Sequence, residues 1–145
     1  MVNAGIENDA LIQSFVCVSA LEDAGYLLTY ESSGKMDLAE GDVPDLVHGI
    51  SFASTKNAIT GVAAANKDVG VIPMIPGLSV HLQVAADNQA IAIGDPVAVS
   101  ATGGDQDGKI DKRDGGTNTN VVIGRTKAAV NINTGGTVLV RLQQE

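Results

Sequence analysis

The sequence predicts an all-β fold, a small barrel or sandwich built from two similar halves with an extended N-terminal arm. Three observations carry this expectation: an internal repeat, many short β-prone runs punctuated by turn residues, and only one weak helix candidate. In the repeat, Ser33-Gly34-Lys35-Met36-Asp37 followed by Val47-His48-Gly49-Ile50-Ser51 recurs as Asp107-Gly108-Lys109-Ile110-Asp111 followed by Val122-Ile123-Gly124-Arg125-Thr126. Each copy opens on a glycine-led apolar run, Gly25-Tyr26-Leu27-Leu28 and Gly94-Asp95-Pro96-Val97. Each closes on another, with Gly70-Val71-Ile72-Pro73-Met74 set against Gly136-Thr137-Val138-Leu139-Val140. What recurs is turns and apolar alternation, not a set of catalytic groups or metal ligands.

The first element follows an arm, residues 1–12, that fits neither period; Ser14-Phe15-Val16-Cys17-Val18-Ser19 then reads as a strand. The β domain spans 13–145, with repeats at about 24–75 and 93–142. Tyr26 to Glu31 and Lys35 to Leu38 form a hairpin about Ser32-Ser33-Gly34. Ala39 to Asp45 is a loop, and Leu46 to Ala53 resumes extended structure. Ala58 to Asn66 holds Ala63-Ala64-Ala65, but Gly61 and β-branched neighbours limit any helix to one turn. Val69 to Ile75 is a strand whose Pro73 suits an edge or a bulge. From Leu78 to Val84, Leu78, Val80, Leu82 and Val84 share one face, with Ser79, His81 and Gln83 on the other. Strands at Pro96–Ala101, Val121–Ala129 and Gly136–Leu142 complete the second copy around a long Gly/Asp hairpin tip.

Composition narrows function. At 145 residues a domain can bury roughly 68–70% of its unfolded surface. With no Trp, two Phe and two Tyr, its core must be aliphatic. A net charge of −8 disfavours nucleic acid and anionic membranes as partners. No apolar stretch reaches membrane-spanning length, and no secretory leader pattern is expected. Cys17 is the single cysteine and reads as a strand thiol, lacking a histidine neighbour to activate it.

The sharpest site candidate is Asp105-Gln106-Asp107-Gly108-Lys109-Ile110-Asp111-Lys112-Arg113-Asp114, whose Asp105, Asp107, Asp111 and Asp114 resemble calcium-loop ligands. With Gly108 at the sixth loop position, however, the first falls on Gly103 and the twelfth on Asp114 rather than a glutamate. The matching hairpin at Gly34 turns without a ligand pair, so an acidic solvated hairpin is expected, with no cofactor. His48 aligns with Ile123 and is expected to pack or hydrogen-bond; His81 faces the polar side of its strand. Ser54-Thr55-Lys56-Asn57 lacks the Ser-x-x-Lys spacing of a nucleophile pair. The pairs Gly103-Gly104, Gly115-Gly116 and Gly135-Gly136 open no helix and cradle no phosphate. No enzyme is expected.

The run Ala92-Ile93-Gly94-Asp95-Pro96-Val97-Ala98-Val99, then Gly108-Lys109-Ile110, Val122-Ile123-Gly124-Arg125-Thr126 and Gly135-Gly136-Thr137-Val138-Leu139-Val140-Arg141-Leu142, resembles the capsid decoration (cement) proteins of tailed bacterial and archaeal viruses. The resemblance covers residues 92–142 and extends weakly through the repeat to about residue 24; full duplication departs from the shortest family members. It implies a β-tulip-like fold and a virion structural protein made in the host cytoplasm. The expected site is the outer capsid surface, where trimers at threefold and quasi-threefold positions stabilise the shell. The partners it implies are the major capsid protein and the chain itself, with Val2, Ile6, Leu11 and Ile12 as apolar contacts of the arm. Two other classes compete: a calcium- or carbohydrate-binding β module, and an accessory β-domain beside a catalytic partner, since Gly94-Asp95-Pro96-Val97 also resembles β-clip turns.

Overall fold

The computed structural model describes residues 12–41, 46–86, 90–129 and 136–143. Its first half places β1 (Gln13–Cys17), β2 (Leu27–Tyr30), β3 (Met36–Leu38), β4 (Gly49–Ser51) and β5 (Lys67–Pro73) in a closed barrel of order β1-β3-β2-β4-β5. Closure comes from β1, antiparallel to β5 on one side and parallel to β3 on the other through Cys17 and Met36. The Val18 amide donates to the Met36 carbonyl at 2.9 Å. Strands this short leave no open edge once the circuit is complete.

The second half holds β6 (Ser79–Gln83), β7 (Pro96–Val99), β8 (Ile110–Lys112), β9 (Gly124–Thr126) and β10 (Thr137–Leu142), ordered β6-β10-β9-β7-β8. A parallel bridge joins Val84 to Ile110, and the Ala85 amide donates to the Ile110 carbonyl at 2.9 Å. This sheet therefore comes round to its own first strand by the closure used in the first half, and the two circuits match strand for strand.

The ladders identify equivalent residues. Cys17, Leu28, Met36, Val69 and Val71 of the first barrel correspond to Val84, Val97, Ile110, Val138 and Val140 of the second. All ten are at most 4% exposed and form the two interiors. Gly49 and Gly124 are equivalent as well: a Cβ would stand 2.3 Å from Val71 Cγ1 in one and 2.6 Å from Val140 Cγ1 in the other. The opening glycines also match, Gly25 at φ +93 with its amide on the Ser51 carbonyl, Gly94 at φ +85 with its amide on the Thr126 carbonyl.

The barrels dock through different faces. Leu27, Ala39 and Ile50, on the outer flank of the first barrel, share one apolar cluster with Leu82, Val99, Ile123 and the interior of the second. Around it, the Leu27 amide donates to the Gly108 carbonyl (2.7 Å), the Gly108 amide to the Ala39 carbonyl (2.9 Å) and the Gln83 amide to the Gly25 carbonyl (3.0 Å). Side-chain amides of Gln83 and Asn120 donate to the Ala24 and Gly41 carbonyls.

Ala58 to Asn66 keeps within the one turn expected: the Gly61 amide returns to the Asn57 carbonyl at 2.8 Å, a single α-turn inside an excursion, 52–66, whose stem is a Lys56–Ala63 bridge. Asn57 caps that turn, its Oδ1 accepting the Ile59 and Thr60 amides, and Gly61 at φ +67 ends it. Pro73 ends β5 paired with Gly49 on one side, while the β1 ladder stops at Val71 among the described residues, so its missing donor falls at a local edge. Several expectations need correction. The segments 46–53 and 121–129 hold only three-residue strands. The closing runs are out by three residues: Val71 matches Val140, which sets Gly70 against Leu139 rather than Gly136. The hairpin tips also differ, three residues (32–34) between the paired Glu31 and Lys35 but eight (101–108) between Ser100 and Lys109.

Candidate functional site

The acidic hairpin is built for turning. Asp105 lies in a short 3-10 helix, Gly104–Gln106, with an exposed side chain. Asp107 follows as its cap, the amide returning to the Gly104 carbonyl. Asp111 is 5% exposed and its Oδ1 accepts the Lys112 amide at 2.7 Å. Its equivalent Asp37 accepts the Leu38 amide at 2.8 Å, so this carboxylate serves the strand in both barrels. Asp114 Oδ1 accepts the amides of Gly116 and Asn118, both at 2.9 Å, fixing the next turn. Among the described residues no three of His, Cys, Asp and Glu come together as a metal site.

His48 occupies the place of Ile123, as the repeat requires: both amides donate to the matching carbonyl, Leu28 and Val97. Its Nδ1 accepts the Tyr30 amide at 3.2 Å and lies 3.3 Å from Thr29 Oγ1. The Tyr30 ring stands 4.6 Å from the His48 ring and 5.6 Å, edge-on, from Phe15. These three aromatic groups cover one end of the first barrel, with Tyr30 half exposed (49%). Their equivalents Leu82, Val99 and Ile123 are buried under the other barrel. His81 is exposed on β6.

The Gly94-Asp95-Pro96-Val97 motif is a strand-entry device. Gly94 provides the positive φ, and Asp95 Oδ2 accepts the Ala92 amide at 2.8 Å. That bond holds the Asp95 carboxyl below the usual carboxylate range, helped by Lys112 Nζ at 3.4 Å and the Arg125 charge. Pro96 then begins β7. Thr126 Oγ1 donates to the Ala92 carbonyl and pins the turn, while in the first barrel Ser51 Oγ accepts the Tyr26 amide.

A shallow groove of about 640 Å³ runs beside the excursion, lined by Ser54, Thr55, Lys56, Asn57, Lys67 and Asp68 among others. Its hydroxyl-bearing Thr55 is already engaged, Oγ1 accepting the Leu21 amide at 2.8 Å, and Lys56 reaches Glu22 at 3.5 Å on the surface. Burial pushes the Cys17 thiol up, away from the thiolate a nucleophile needs. No nucleophile–base pair is assembled at either place.

Of the arm residues, Val2, Ile6 and Leu11 lie outside the described residues. Ile12 is half-buried, its Cγ2 3.1 Å from where a Gly70 Cβ would be, so it packs on its own barrel. Sequence reasoning missed the exposed apolar side chains of the excursion, where Phe52, Ile59 and Val62 are 55, 95 and 64% exposed. The signal was the Asn57-to-Gly61 turn, which sets Ile59 at a tip rather than on a helix face. Comparison with protein-family models and with curated proteins found no match to this chain.

Proposed function

We propose that this chain is a virion structural protein that binds the outside of an icosahedral capsid, as trimers, and stabilises the shell. The reading rests on the resemblance of residues 92–142 to capsid decoration proteins. The observation that supports it most is the use to which those motif residues are put. Gly94, Asp95, Gly108, Asp111 and Gly124 all build strand entries, turns and close packing, and none points a reactive group into a shared site. A second support is the excursion, where a 95%-exposed Ile59 and its neighbours offer apolar area on an otherwise acidic chain. Many copies, each with a modest contact, would reinforce a lattice through avidity.

The test is co-sedimentation of the purified chain with expanded shells of its virus. Saturable binding at threefold positions, weakened at least tenfold by Ile59→Asp, is expected. No binding to such shells at any concentration contradicts the proposal.

A further inference from the structure

We propose that copies of this chain join head to tail by repeating, between molecules, the joint that holds the two barrels together within one. The inference deepens the self-association in the proposed function and rests on that part alone, not on shell binding.

The internal joint is heterologous: an end of the second barrel sits on the flank of the first. Because the barrels are equivalent, one copy of each face is left unused by the described residues. The end carrying Phe15, Tyr30 and Gly34 is open on the first barrel, and the flank carrying Gly94, Pro96 and Arg113 is open on the second. The glycines mark this asymmetry. Gly25 and Gly108 lie inside the joint, where a Cβ would meet the His81 carbonyl and Leu38 Cδ2, each at 2.6 Å. Their equivalents Gly94 and Gly34 keep the same positive φ, +85 and +82, and a Cβ on either would meet none of the described residues within 4 Å.

The chemistry of the two open faces is complementary. Tyr30 and Ile93, 49 and 71% exposed, place one large apolar group on each. Glu31 stands where Ser100 stands, and Arg113 where Ala39 stands, as matching backbone bonds show. In the internal joint, Ser100 lies against Gly41, two residues beyond Ala39. The copy-to-copy joint thus sets a carboxylate beside a guanidinium, and aromatic rings over an arginine flank. It is the weaker version. Pro96 has no amide to replace the Leu27 donor, the Gly34 amide already serves the Glu31 carbonyl, and Arg125 Nη1 shares the Gly94 carbonyl at 3.1 Å. A separable contact between molecules is what this combination supports, against a permanent one within the chain. Heterologous contacts close into rings when their rotation allows, and three copies would then show six barrels.

Sedimentation velocity tests this with exposed-face variants. Wild type should associate, while Tyr30→Asp and Ile93→Asp each remain monomeric alone. Mixed, those two variants should form a dimer, because each retains the face the other lacks; an isologous contact would not be rescued. Glu31→Arg and Arg113→Glu, both on the surface, should each weaken association at least tenfold and restore it when combined in one chain. A closed trimer supports both the joint and the trimeric reading, whereas an open series of oligomers supports the joint and removes the trimer. A wild-type chain that stays monomeric at high concentration, or association untouched by all four substitutions, overturns the inference whatever the shells do.

Discussion

The two barrels agree inside and disagree outside. Their interiors exchange Cys17 for Val84, Leu28 for Val97 and Met36 for Ile110, all apolar and all buried. On the flank, Leu27, Ala39 and Ile50 of the first barrel are replaced by Pro96, Arg113 and Arg125 in the second. The flank that touches the other barrel is aliphatic, and the one left open is cationic. A duplicated fold thus separates two demands on sequence: what each barrel needs to close, and what covers it afterwards.

Where the barrels agree, matched substitutions should cost alike. Gly49→Ala and Gly124→Ala each drive a Cβ into a buried valine. Each should cost about 1–3 kcal/mol in denaturant unfolding, and to a similar degree. A neutral substitution at either position breaks the equivalence. Next come positions where it fails on purpose. Leu82→Ala empties the joint and should cost about 2–5 kcal/mol, while Phe15→Ala, half-buried at the matching place, should cost roughly half as much. Gly25→Ala and Gly94→Ala both oppose a positive φ, about 1–2 kcal/mol. Only Gly25 adds a clash with the His81 carbonyl, so its variant should be the less stable.

A smaller effect concerns pH. The native Asp95 carboxyl is held below its unfolded value, so its contribution is fully present above the unfolded pKa of about 3.9 and is lost as pH falls through the lower, native one. Stability curves of wild type and Asp95→Asn should therefore differ at neutral pH and converge in acid. Smallest of all, Lys56→Ala removes an ion pair between largely exposed side chains and should change stability by about 0.5 kcal/mol or less.

The repeat made the fold legible because turns leave strong marks. Positive-φ glycines at 25, 34, 94 and 108 precede β2, β3, β7 and β8, and the spacing from them matches His48 to Ile123. The closing strands were misaligned because Gly70 is a packing glycine beneath Ile12 and Phe52, whereas Gly136 is a turn glycine at φ +99. One letter stood for two physical roles. The candidate site was less legible. Acids at alternate positions look like ligands until their amide partners are known, and those partners are set by chain direction rather than composition. The barrel-to-barrel joint left only an indirect trace, the change from aliphatic to cationic residues at matched flank positions.

Native-state amide hydrogen exchange tests the central claim, that one closed circuit is built twice. The Val18 and Ala85 amides make the matching closure bonds, to Met36 and Ile110. Both should be protected to nearly the extent of the core strands. An Ala85 amide exchanging at the rate of an open loop while Val18 stays slow would show the second sheet to be open, and would contradict the account.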